Sequence, residues 1–229
     1  MRFLNLCSGT GSVSRAFKDA NYEVVDVDWD NRFGPTHCVD IMTWECPYEA
    51  GYFDVVWASP DCVMYSRART TAKTPRNFEM ADALVQRCLE LIRDLQPRVW
   101  FLENPDSGLL KTRSFMIGLP FVIVDYCMYG ASYRKRTRIW TNAAWVPKLC
   151  DRSHLVDGKH MHTAQRGGRG GWSKDDRFTR DDLHRLPSAL CDEICAVSSW
   201  SHHATMFYRK NESATECWNG FRVVKDGPK

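Results

Sequence analysis

A chain of 229 residues, 44% hydrophobic and 26% charged, can bury one sizeable core and is far from the composition of a disordered protein. Net charge is only +3, yet residues 1–129 carry 13 Lys/Arg against 17 Asp/Glu and residues 130–229 carry 18 against 11, so a polyanionic partner is expected to meet mainly the C-terminal half. No apolar run is long enough to span a bilayer and the start, MRFLNLCSG, lacks an export pattern, so a soluble intracellular chain is expected.

Residues 2–6 are short and apolar, and a Gly/Ser turn (Cys7-Ser8-Gly9-Thr10-Gly11) leads into a helix that runs to Ala20. Residues 23–28 form a β-branched run ending in acids, and a third strand should end near Cys38-Val39. Residues 53–58 are continuously apolar, as in a buried parallel strand. Residues 78–95 place Ala81, Leu84, Val85, Cys88, Leu91, Ile92 and Leu95 at helical spacing, and Pro97 stops the helix. Strands follow at 99–102, 121–129 and 138–140, with a short helix at 107–117. Strands alternating with helices imply a mostly parallel sheet with helices on both faces. Residues 148–179 are rich in His, Gly and Arg and read as loop. A helix at 186–199 and a tail with one strand near 218–224 complete the chain. The division expected is 1–145 for the cofactor-binding catalytic unit, 146–185 for a short basic segment, and 186–229 for the helix and tail completing the first unit.

Ten cysteines are scattered through the elements, which suits free, packed thiols rather than a disulfide framework. Cys150, His154, His160 and His162 are a candidate metal cluster. Cys-x3-His-x5-His-x-His is not a familiar zinc spacing, however, so no metal is expected, and clustered His could equally meet phosphate.

Open α/β sheets bind ligands at the carboxyl ends of their strands. The glycine turn lets backbone approach a ligand, and the helix behind it offers free N–H groups. Asp28, at the second strand end, can accept from ribose hydroxyls, and Trp29 can stack on a base; the alternative is a surface acid beside a core Trp. Asp40 can accept from an exocyclic amine or cap the next turn. The strand at 53–58 runs into Ser59-Pro60-Asp61-Cys62, and the strand at 99–102 into Glu103-Asn104-Pro105. A thiol and a carboxylate should therefore meet at one sheet edge, unless Cys62 is buried and Glu103 only caps a helix.

In content and order these motifs resemble the cytosine-5 DNA methyltransferases. FLNLCSGTGSVSRAF is similar to the cofactor glycine motif, VDVDWD to the acid-plus-Trp motif, and CVDI to the adenine-contacting one. SPDC is similar to the nucleophile loop, LENP to the Glu-Asn-Val motif, and YGASYRKRTRIW to the basic strand. The resemblance covers residues 1–142 and the helix at 186–199. It implies a Rossmann-like class I fold that binds S-adenosyl-L-methionine through Cys7, Ser8, Gly9, Thr10, Gly11, Asp28, Trp29, Asp40, Ile41, Ser59 and Pro60. It implies Cys62 as the nucleophile that adds to C6 of a flipped cytosine, and Glu103 at ring N3. The family's Gln-x-Arg-x-Arg aligns as Tyr133-x-Lys135 or as Arg134-x-Arg136-x-Arg138. The latter keeps both arginines, and Arg67, Arg134, Arg136 or Arg138 could then favour the thiolate.

Departures are also expected to matter. Asp61 separates Pro60 from Cys62, and an adjacent carboxylate disfavours a thiolate. Pro105 stands where the family has Val, and Asn5 where an acid is common. Residues 143–185 are too few for the family's long target-recognition domain. Ser66, Arg67, Asn104, Arg166, Arg169 and Trp172 are the candidate nucleic-acid contacts, with QRGGRGGW as a compact substitute. The size implies a viral or phage-like protein, in the cytoplasm or nucleus of the host, acting on DNA as a monomer or weak dimer. RNA or a free cytosine nucleotide as target, and a silent nucleic-acid-binding homologue, are the alternatives.

Overall fold

The computed structural model describes residues 1–69, 72–162, 164, 178–200, 217–218 and 221–222. A seven-stranded sheet is built from β1 (Arg2–Leu6), β2 (Glu23–Asp28), β3 (His37–Cys38), β4 (Val55–Ala58), β5 (Val99–Pro105), β6 (Phe121–Asp125) and β7 (Arg136–Thr141). Its order is β3-β2-β1-β4-β5-β7-β6, and β7 alone runs antiparallel to its neighbours. This is the Rossmann-like arrangement of class I methyltransferases, with the reversal of strand order lying between β1 and β4.

The pleat explains why helices cover both faces. Along β1, Leu4 and Leu6 point one way and Phe3 the other; along β4, Val56 and Ala58 oppose Val55 and Trp57; along β5, Trp100 and Leu102 oppose Val99 and Phe101. The first set packs with Val85, Leu91 and Ile92 of α2 (Phe78–Leu95). The second packs with Val13 and Phe17 of α1 (Ser12–Asp19) and with Leu190 and Ile194 of α4 (Ser188–Trp200). Asn77 caps α2 by accepting from the Met80 N–H at 3.0 Å. Gln96, left-handed at φ 50°, ends it before Pro97.

Several expected boundaries move. The strand expected over 53–58 begins at Val55, and that over 99–102 continues to Pro105. The stretch 121–129 is strand only to Asp125, then a 3-10 turn (Tyr126–Tyr129), while β7 is longer than 138–140. The helix expected over 107–117 is instead two 3-10 turns, Leu110–Thr112 and Ser114–Met116. Arg113 between them is extended because its guanidinium reaches across to Asp82, with Nε 2.9 Å from Oδ2, and that pairing outweighs helical propensity. Just beyond the stretch read as loop, within the 146–185 segment, Arg180–His184 forms a short helix, α3, capped reciprocally by Thr179 and Asp182. In the tail, Cys217–Trp218 (β8) pairs with Phe221–Arg222 (β9). Among the described residues no helix is long and apolar enough to cross a membrane.

Candidate active site

The strand registers set one row of side chains at the carboxyl edge. Leu6 faces Val27 and Ala58, and Ala58 faces Leu102. Cys7, Asp28, Ser59 and Glu103 therefore stand one residue beyond the same row. A cavity of about 570 Å³ opens there, walled by all four and by Cys62.

Its first half is built by the glycine turn. Gly9 lies at φ 48°, and a Cβ added there would meet nothing within 4 Å, so backbone faces open space. The Gly9 N–H donates to Asp28 Oδ2 at 2.7 Å and the Asp30 N–H to Oδ1 at 2.8 Å, which holds the buried carboxylate in place with lone pairs to spare. Trp29 is 77% exposed yet lines the cavity, so it offers a ring face without a protein partner above it in the wall. Ser8, Thr10, Asp40, Ile41, Ser59 and Pro60 also line it; Gly11 does not, and serves as the left-handed residue that starts α1. Arg87 of α2 holds the loop behind Ile41 through the carbonyls of Ile41 and Trp44.

The second half holds the reactive groups. Cys62 sits on a loop pinned from three sides. Asn104 Nδ2 donates to the Pro60 carbonyl at 3.1 Å, Arg76 donates to the Met64 and Ser66 carbonyls, and the Tyr65 hydroxyl donates to Asp82 at 2.7 Å. Asn104, expected to contact nucleic acid, is fully buried in this structure and holds the loop that carries Cys62. Ser66 and Arg67 follow on this loop outside the cavity wall, with Arg67 exposed. Asp61 accepts from the Val63 N–H at 3.2 Å and lies 3.8 Å from Arg180, so its carboxylate is engaged by the turn and by α3.

Burial pushes the Cys62 thiol up to about 11; Lys135 opposes this, while Glu103 and Asp61 add to it. Burial also raises the Glu103 carboxyl, against the pull of Lys135 and of the Tyr126 hydroxyl, which donates to Oε1 at 3.4 Å. One lysine thus balances both groups. Strand alternation puts it there: Lys135 lines the cavity, whereas Arg134, Arg136 and Arg138 project the other way. Arg134 and Arg136 pair with buried Asp125 at 3.0 and 2.7 Å, and Arg138 pairs with Asp106 at 2.9 Å while stacking on Phe121. Of the two alignments, Tyr133-x-Lys135 is the one that puts a cation on the cavity wall. Lys135 Nζ is steadied by the Leu183 carbonyl of α3 at 2.9 Å.

Neutralising that charge has a readable consequence. Lys135→Gln will slow alkylation of Cys62 by iodoacetamide roughly tenfold at pH 8, and Lys135→Arg will restore most of it, because a nearby cation lowers a thiol pKa by about one to three units. Peptide mass spectrometry, resolving Cys62 from the other cysteines, reads the rate. An unchanged rate in Lys135→Gln would remove Lys135 from this role.

Sequence reasoning ranked Lys135 second, noted Asn5 only as a departure, and missed the α3 residues Arg180, Asp181 and His184, all of which also wall the cavity. For α3 the signal was the capping pair Thr179-x-x-Asp182 at the end of a stretch otherwise read as loop. Arg166, Arg169 and Trp172 lie outside the described residues. The candidate cluster of Cys150, His154, His160 and His162, for which no metal was expected, is only partly assembled: Cys150, His154 and His160 meet Cys127, while His162 bridges to Tyr133 and faces the Phe178 ring.

No family model matches the chain. Among solved structures it aligns with the Dnmt2 methyltransferase of S. pombe (18% identity, 62% of this chain and 50% of that one, TM-score 0.40). It also aligns with a DNMT2 variant of Spodoptera frugiperda (13% identity, 65% and 55%, TM-score 0.40). The chain spans about half the length of each. A protein of frog virus 3 (isolate Goorha), named as a probable DNA (cytosine-5)-methyltransferase, is 32% identical over 219 residues, 85% of this chain and 98% of the relative. With that identity across nearly the whole of both, the chain belongs to the DNA (cytosine-5)-methyltransferase family.

Proposed function

We propose that this protein transfers a methyl group from S-adenosyl-L-methionine to C5 of a cytosine in DNA, through a covalent adduct at Cys62. The observation that carries the reading is the convergence of Cys62 and Glu103, from the adjacent ends of β4 and β5, on the cavity that Asp28 and Trp29 also wall.

The residues fit the cofactor. Asn5 lines the cavity, and its buried Oδ1 has no hydrogen-bond partner among the described residues, so it can accept from an ammonium group. Asp28 has acceptor capacity for ribose hydroxyls, and Trp29 a free face for adenine. When bound, the cofactor supplies an electrophilic methyl group.

The protein's own groups do the rest. The Cys62 thiol gives up its proton, and the sulfur adds to C6 of the ring, opening the C5–C6 double bond and loading C5 with electron density. Glu103, protonated more readily than an ordinary carboxyl, hydrogen-bonds N3, where negative charge would otherwise build. Once C5 carries the methyl, its proton passes to water and the sulfur departs from C6 as thiolate, which restores the aromatic ring and takes back a proton from solvent as the free thiol. A cytosine stacked in a duplex cannot reach Cys62, so the base must leave the helix. Arg180 of α3 and Arg67 of the nucleophile loop supply positive charge for the flanking backbone.

The test is to incubate the full chain with tritiated S-adenosylmethionine and, separately, duplex DNA, RNA and dCMP. Label is expected in DNA at C5 of cytosine. Label confined to RNA or to dCMP overturns the DNA reading, and no label anywhere with cofactor binding intact points to a silent homologue.

A further inference from the structure

We propose that Cys127, Cys150, His154 and His160 form a closed zinc site that holds the segment following β7 onto the sheet. The four side chains come from three places. Cys127 lies in the 3-10 turn after β6, Cys150 in the chain leaving β7, and His154 and His160 on either side of a tight hairpin. In that hairpin the Val156 and Lys159 N–H groups donate to each other's carbonyls, both at 3.0 Å. Asp157 and Gly158 take φ of 49° and 72°, as a two-residue type I′ connection requires. The turn brings the two imidazoles side by side, with ring centroids 5.1 Å apart.

The geometry matches a tetrahedral ion. One sulfur or nitrogen from each residue lies within 4.8 Å of all the others, and Cys150 Sγ is 3.4 Å from His160 Nε2. Zinc bonds of about 2.3 Å to sulfur and about 2.0 Å to nitrogen put tetrahedral ligand atoms roughly 3.3–3.8 Å apart, so a small inward movement completes the set. The donor set selects the metal. Two thiols and two imidazoles are too soft for calcium or magnesium, and the tetrahedral S2N2 pattern is that of zinc. Four protein donors leave no position for water, which makes the site structural rather than catalytic.

The surroundings give the ion a purpose. Between Thr141 and α3 the described chain has no helix and only isolated bridges, and it sends few side chains into the core, chiefly Trp145. Such a segment cannot order itself by burial. Nearest the cluster it is anchored by Asp125, which accepts from the Cys150 N–H at 3.0 Å while pairing with Arg134 and Arg136. A zinc ion beside that anchor would convert one contact into a cross-link between residues 127 and 160. The sequence pattern hid this because Cys127 is remote from the other three and His162 looked like the fourth ligand. His162 is instead turned to the Phe178 ring, and its backbone N–H donates to the Ser132 carbonyl at 3.1 Å.

The experiment is metal analysis of the full chain purified under reducing conditions from zinc-supplemented medium. About one zinc per chain is expected, falling to a trace in Cys150→Ser and in His154→Ala and unchanged in His162→Ala. Cobalt loaded in place of zinc should give the intense visible bands of tetrahedral coordination with thiolate charge transfer, a readout on the unaltered chain that does not depend on any variant folding. A folded, reduced chain that holds no zinc and gives only the pale spectrum of hydrated cobalt overturns the proposal. So does full zinc retention in both ligand variants, or a Cys127–Cys150 disulfide found by mass spectrometry in place of metal.

Discussion

Cys62→Ala will lose methyl transfer to DNA by at least about 10⁴-fold, and with it the covalent capture of an oligonucleotide carrying 5-fluorocytosine. The thiol stands on the cavity wall beside the Glu103 carboxyl group, and alanine keeps the backbone of a loop pinned by Asn104, Arg76 and Tyr65 rather than by the sulfur. Cofactor affinity should therefore change little, which separates lost chemistry from lost structure. The wild-type chain should also show a pH signature. Burial leaves the free thiol at about 11, so only a small fraction is thiolate near neutrality. Raising the pH removes the proton and creates the nucleophile, so alkylation of Cys62 by iodoacetamide, which needs no protonated Glu103, should rise about tenfold per unit from pH 7 to pH 10. A flat profile, or capture that persists in Cys62→Ala, would place the nucleophile elsewhere.

What could be read in advance follows a physical division. Periodicity over long segments was legible, because a buried parallel strand such as β4 and an amphipathic helix such as α2 each impose one pattern on many residues. The glycine turn, Asp28, Trp29, Cys62 and Glu103 were legible for a related reason: a parallel sheet sends every strand's carboxyl end to one edge, so the residue after each apolar run is placed by topology. Lys135 was not. Six residues from Tyr133 to Arg138 carry four cations, and composition favours the three arginines. Which parity faces the cavity depends on the register of β7 against β5, which pairs Glu103 with Ile139 and is a property of two strands rather than one. Cys127 was missed in the same way, since a metal set drawn from three segments has no local spacing. The helix expected at 107–117 is two 3-10 turns, and the extended Arg113 between them pairs with Asp82 of α2, a contact remote in sequence that local periodicity does not carry.

Glu103→Gln should reduce the single-turnover rate by roughly 10²–10⁴-fold while leaving cofactor binding intact. Glutamine keeps the size of the side chain and can still donate a hydrogen bond, but it cannot carry a proton to N3 or compensate charge there. The loss should appear equally in capture of 5-fluorocytosine, because the carboxyl group acts on the addition step and not only on release. Stability should move in the opposite direction. Burial raises the Glu103 pKa above its unfolded value, so the native state holds its proton more tightly than the unfolded chain does. That favourable contribution is complete below the ordinary carboxylate range and is lost as pH rises through the native pKa, where ionising a buried group costs stability. Glutamine has nothing to ionise, so the Tm of Glu103→Gln should gain on wild type as pH climbs from 4 to 8. A variant that keeps more than about a tenth of the rate, or one whose Tm runs parallel to wild type across that range, would show that Glu103 neither protonates the ring nor sits desolvated as the fold places it.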